Sequence, residues 1–149
     1  MELRKVILRY TDGRTLPAYA PIFEEGQDPV PIVDLEGLPL WVPLADLKAL
    51  FFVRTFSGNA DYDAPKALAA LPCPRGVQVV RLEFLDGEHI FGDLAQAAAD
   101  STHGFFVTVL DPDDNNLLIY VNPAALALPP SLVAPGEPSP ANPEALFEP

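Results

Sequence analysis

Apolar residues fall in short alternating runs along the chain. The segment Val6-Ile7-Leu8-Arg9-Tyr10-Thr11-Asp12-Gly13-Arg14-Thr15-Leu16 places Val6, Leu8 and Tyr10 on every second position. A period of two marks a strand with one buried face. The pattern returns without gaps at Val80-Arg81-Leu82-Glu83-Phe84-Leu85-Asp86-Gly87-Glu88-His89-Ile90. Both runs lead into Asp-Gly, a pair suited to the positive φ angles of a tight hairpin turn, so Asp12 and Asp86 are read as turn formers and not as catalytic carboxylates. The chain is thus an internal duplication. Third strands are predicted at residues 31–35 and 104–110, and fourth strands at 38–44 and 117–121. Residues 45–50 and 123–126 are short enough for single helical turns. A fifth strand is predicted at 51–56. Its counterpart, Ala127-Leu128-Pro129-Pro130, permits at most an edge strand, because proline has no N–H to donate to a ladder.

Strand, hairpin, strand, strand, helical turn, strand is the order of small SH3-like and Sm-like barrels. The expected fold is therefore all-β: two tandem SH3/Sm-like barrel repeats packed together, with short helical turns and a Pro-rich C-terminal tail. The first β repeat spans 1–56, a linker with a short helix 57–77, the second repeat 78–128, and the acidic tail 129–149. Copies of about 50 residues are small for independent stability, so they are expected to share a core. Phe51-Phe52-Val53, apolar on both faces, is placed at that junction. Residues 93–100 are ambiguous. Their alanines favour helix, while the repeat calls for a strand at the start and leaves the end open.

Charge separates the halves. The 149 residues hold nine Lys/Arg and 21 Asp/Glu, a net of −12. All nine basic residues precede Leu82, giving residues 1–81 a net of −1 and residues 82–149 a net of −11. Such a balance argues against general nucleic-acid binding and against binding to anionic membranes. The asymmetry makes self-association, or an internal contact between the two ends, physically reasonable. One cysteine, Cys73, excludes an internal disulfide and a zinc site built on several thiolates. Eighteen prolines against nine glycines argue against long helices. The alternating start lacks the apolar core of a signal peptide, and no window approaches the roughly 20 apolar residues of a membrane span, so a cytoplasmic protein is expected.

The chain resembles an uncharacterised bacterial family, one of the domains of unknown function. The likeness rests on Asp46-Leu47-Lys48-Ala49-Leu50-Phe51-Phe52-Val53-Arg54, the second hairpin at 80–92, Gly104-Phe105-Phe106, and Asn115-Asn116-Leu117-Leu118-Ile119-Tyr120-Val121. It covers about residues 5–128. Leu118, where a basic residue is expected, and the tail depart from the pattern. The resemblance implies the duplicated fold and brings no activity.

Candidate chemistry is sparse. Asp111-Pro112-Asp113-Asp114-Asn115-Asn116 opens like a calcium loop, but Asn116 and Asn122 stand where glycine and glutamate are needed, so a long turn is the better reading. His89 and His103 have no metal-ligand spacing. None of the four serines lies in a nucleophile elbow, and phosphate-cradling glycine motifs are absent. No enzyme activity, cofactor or metal is expected. The leading expectation is a non-catalytic interaction or scaffold domain that binds protein, itself included, through an open strand edge, an acidic face or the tail. The surface residues singled out are Arg4, Lys5, Arg9, Arg14, Asp111, Asp113, Asp114, Leu146 and Phe147. Two alternatives stand beside it. An Sm-like RNA binder would use the four basic residues with Tyr10 and Tyr19. A small-ligand sensor would hold its ligand between the repeats, where Trp41, Phe51, Phe52, Phe105 and Tyr120 meet.

Overall fold

A computed structural model of the chain describes residues 2–57, 79–93, 103–110, 114–128 and 131–132. The strands are β1 (Arg4–Tyr10), β2 (Thr15–Ala20), β3 (Val30–Val33), β4 (Pro39–Val42), β5 (Leu47–Val53), β6 (Val79–Glu83), β7 (His89–Asp93), β8 (Phe105–Val109), β9 (Asn116–Val121) and β10 (Ser131–Leu132). The fold is mainly β. All pairings are antiparallel, in one sheet of order β10-β6-β7-β8-β9-β5-β1-β2-β3-β4.

One arrangement occurs twice in that order. The first copy reads β5-β1-β2-β3-β4 and the second β10-β6-β7-β8-β9, each with its fifth strand beside its first. The local bonding repeats as well. Tyr10 N–H donates to Arg14 C=O and Phe84 N–H to Glu88 C=O, both at 2.8 Å. Asp12 and Asp86 each accept the N–H two residues on at 3.0 Å. Gly13 and Gly87 sit at φ 93° and 91°, the left-handed region that only glycine enters without strain. A 3₁₀ turn precedes each fifth-strand position, at Leu44–Asp46 and Pro123–Ala125. The pairing Tyr10↔Leu47 recurs as the isolated bridge Phe84↔Leu126.

The two copies join through β5 and β9, in the register Ala49↔Val121, Leu50↔Tyr120, Phe51↔Ile119. Because side chains alternate across a strand, each of these strands serves two cores. Ala49, Phe51 and Val53 enter the second copy's core with Val80, Leu82, Phe105, Val107 and Ile119. Leu47, Leu50 and Phe52 enter the first copy's core with Val6, Leu8, Ile32 and Val42, and Tyr120 of β9 crosses into it. Every residue of β5 is buried.

That two-sided burial explains the main departure from the sequence reading. Residues 45–50 carry helix formers and were expected to make a helical turn, yet the turn ends at Asp46 and Leu47 begins β5. Paired with β1 on one side and β9 on the other, the segment gains more from two ladders than from its own helix propensity. Strand β3 stops at Val33 because Asp34 turns the chain, its carboxylate accepting the N–H groups of Glu36 and Leu38. The expected linker helix and nearly all of the tail lie outside the described residues. The edge strand expected at most over residues 127–130 instead falls at the two-residue β10, beyond both prolines, where Ser131 pairs with Arg81 and Leu132 with Val80. Among the described residues no helix is long and apolar enough to cross a membrane.

Candidate interaction site

Strand β4 ends the sheet. It pairs with β3, Val30↔Val42 through Val33↔Pro39, and has no neighbour on its other side among the described residues. Val42 points into the core, whereas Trp41 is 64% exposed and Leu40 40%, with Leu38 at 60% just before the strand. A bare strand edge exposes unpaired N–H and C=O groups, and proteins normally blunt such edges with charge or proline. Here only Pro39 does so, and Trp41 stands open beside it. The small-ligand alternative placed Trp41 in a pocket between the repeats. Among the described residues these aromatics do not converge: Phe51 and Phe105 lie in one core, Phe52 and Tyr120 in the other, and Trp41 at the far edge. The aromatic composition alone could not reveal this, because exposure depends on which strand ends the sheet.

The basic residues expected to act together are dispersed. Arg4 and Lys5 are exposed at the start of β1, with side chains on opposite faces. Arg9 lies over the Phe51 ring at 4.5 Å and reaches Glu88 at 3.4 Å. Arg14 covers Tyr10 at 4.7 Å and pairs with Asp12 at 2.7 Å. Asp114 caps its own turn by accepting Asn116 N–H at 2.9 Å. Asp111, Asp113, Leu146 and Phe147 lie outside the described residues. Tyr19 packs edge-on against Phe56 at 5.5 Å.

A second feature is a cleft of about 370 Å³ between the copies. It is lined by the two hairpin turns, including Asp12 and Asp86, and floored by Lys48 and Asn122. Lys48 is buried, a role its sequence position did not suggest. Its ammonium donates to Asp86 at 2.7 Å and to Glu88, and lies 4.6 Å from the centre of the Phe84 ring. Asn122 is saturated, its amide donating to the carbonyls of Leu44 and Leu47 while its oxygen accepts Ala124 N–H. Within the cleft Lys48 of the first copy is thus tied to the acidic turn of the second.

Partial burial would push Asp86 upward, but hydrogen bonds from Lys48 and from Glu88 N–H, with the Lys48 charge, bring it below its ordinary value of 3.8. A carboxylate depressed in the folded state adds stability above its unfolded pKa, and that stability disappears as pH falls through the folded value. Replacing Lys48 by Met removes the lysine's share of the depression and leaves that of Glu88 N–H and Arg9. The variant is expected to lose less melting temperature than wild type between neutral pH and pH values well below 4. Thermal melts followed by circular dichroism across that range check it, and parallel curves would contradict it.

Residues 2–128 match the Family of unknown function (DUF6982). No curated protein and no solved structure matches.

Proposed function

The chain belongs to this family of unknown function, and we propose that it is a non-catalytic protein-interaction domain whose binding surface is the β4 edge. In this reading each copy is a small SH3/Sm-like barrel, and the joined pair presents β4 as its binding edge. The observation that carries it is the exposure of Trp41 and Leu40 on a strand whose outer side has no neighbour among the described residues, with Leu38 exposed just before it. Strand addition to such an edge draws affinity from main-chain hydrogen bonds and specificity from alternate side chains, and tryptophan is enriched at binding hot spots. The basic residues favour an RNA-binding reading less, since Arg9 and Arg14 are engaged with Glu88 and Asp12.

The experiment is photocrosslinking in cells of origin, with a benzophenone amino acid at position 41 and, as control, at Leu85, which is 70% exposed on a turn. Adducts to protein, to itself or another chain, are expected at 41 and not at 85. Equal or absent adducts at the two positions would refute the reading.

A second reading, a small-ligand sensor, is favoured by the cleft, whose volume falls within the range of small-molecule sites. Thermal-shift screening with nucleotides and metabolites tests it. A ligand at a hundred times its dissociation constant adds about 2.7 kcal/mol, and a flat screen would remove this reading.

A further inference from the structure

The internal junction is a template for an external one. Matched through the shared hydrogen-bond pattern, β4 of the first copy corresponds to β9 of the second, and β5 of the first to β10 of the second. Within the chain, β9 is joined to β5, a fourth strand to a fifth. Among the described residues that leaves one unused fourth strand, β4, at one end of the sheet and one unused fifth strand, β10, at the other. The equivalence holds residue by residue. Val42 and Val121 both lie buried just before the 3₁₀ turn, and both pair with the first buried residue of the third strand, Val30 and Phe105. One position back, Trp41 is the counterpart of Tyr120. Tyr120 is fully buried, because it crosses the junction into the neighbouring copy's core, whereas Trp41 is 64% exposed. The same position, aromatic in both copies, is filled where a partner copy is present and open where none is.

We propose that the β4 edge takes a second copy of this chain, docked head to tail, with β4 of one molecule adding to β10 of the next and Trp41 covering the next molecule's second-copy core as Tyr120 covers the first. The proposal rests on the reading of β4 as a binding edge and names its partner. By analogy with the β5–β9 register, Leu40 falls opposite Ser131 and Pro39 opposite Leu132. The contact is heterologous, so assembly grows into a ring or a linear chain instead of stopping at a symmetric pair. Charge fits this polarity. A head-to-tail contact sets the nearly neutral half of one chain against the acidic half of the next, whereas joining two second copies would oppose two halves of net −11. The external contact is weaker than the internal one, because Pro43 stands where Asn122 supplies its amide clamp. Added salt screens the residual repulsion and strengthens association.

Trp41 is the only tryptophan, so its emission reports on this edge alone. The full chain, raised from low micromolar to near-millimolar concentration, is expected to show a shift of emission to shorter wavelength together with masses that are multiples of 16.1 kDa by light scattering. Trp41→Asp, which lacks a β4 anchor, and Leu132→Pro, which lacks a β10 donor, are each expected to remain monomeric while keeping the wild-type circular dichroism spectrum. Mixed together, they retain one good edge apiece and should form a one-to-one complex that grows no further. Assembly of Leu132→Pro alone to wild-type masses would mean a β4-to-β4 contact and overturn the proposal. A wild-type chain that stays monomeric with unshifted emission would overturn it too. Crosslinks from position 41 to a different protein would then leave the interaction reading standing, and their absence would remove both.

Discussion

Phe52→Asp is expected to unfold both copies in a single transition. Phe52 is 3% exposed on β5, in contact with the first copy's core and with the aromatic group of Phe23 and Phe106 at 6.3 and 6.4 Å between ring centres. Truncating a buried phenylalanine costs about 3–5 kcal/mol, and an unpaired carboxylate in the same place adds a desolvation penalty. The sum approaches the roughly 5–15 kcal/mol that holds an entire domain folded. The second copy should fall with the first, because the same strand carries Phe51 into the other core and pairs with β9. Urea denaturation followed by circular dichroism should show the folded state of the variant absent or displaced to very low denaturant. A residual transition of about half the amplitude would show that one copy survives alone.

Gly104→Ala is expected to have the next largest effect, although it adds only a methyl group. A Cβ at Gly104 would lie 2.3 Å from the Tyr120 hydroxyl oxygen and 2.4 Å from the ring carbon that bears it. The ring cannot move aside. Phe23 and Phe106 each hold it at 4.7 Å, and its hydroxyl donates to the Gln27 carbonyl at 2.8 Å. Beside it, Gly26 N–H donates to Gly104 C=O at 2.9 Å and ties the first copy's loop to the second copy. Overpacking of this kind costs about 1–3 kcal/mol. Losing the Tyr120 hydrogen bond and stranding the Gln27 carbonyl adds about 1–3 kcal/mol more. A fall in melting temperature comparable to that of a large-to-small core variant should result. The double variant Gly104→Ala/Tyr120→Ala, which removes the clash, should not be additive. Additive losses would mean that Gly104 is sensitive for some other reason.

Much of this architecture was legible in the chain. The Asp-Gly repeat located both hairpins, period-two runs located β1 and β6, and the two-faced apolar run at Phe51-Phe52-Val53 marked the strand that joins the copies. Less was legible wherever a residue's environment comes from the other copy. Leu47, Lys48 and Ala49 read as helix by local propensity, and only their two ladders make them a strand. The Lys48 side chain drew no reading from the sequence, because its ammonium is held by the second copy's turn, 38 and 40 residues away. Trp41 and Tyr120 occupy the same place in their copies, and no local signal separates the exposed one from the buried one. The difference is which edge of the repeat happens to be covered. For the same reason the chain alone did not show which strand ends the sheet, or that Arg9 and Arg14 are paired internally.

Whether the two copies are one cooperative unit can be measured directly by native-state hydrogen exchange on Leu82→Ala. Leu82 is fully buried in the second copy's core and pairs with Ile90 within that copy. Its truncation costs about 2–5 kcal/mol. If β5 and β9 bind the cores into one unit, the slowest amides of β1 in the first copy should lose protection by the same factor as those of β6 in the second. At about 1.4 kcal/mol per tenfold change, that factor is on the order of thirty to several thousand. Unchanged protection in β1 alongside accelerated exchange in β6 would mean that the copies fold independently and that the shared strands do not couple them.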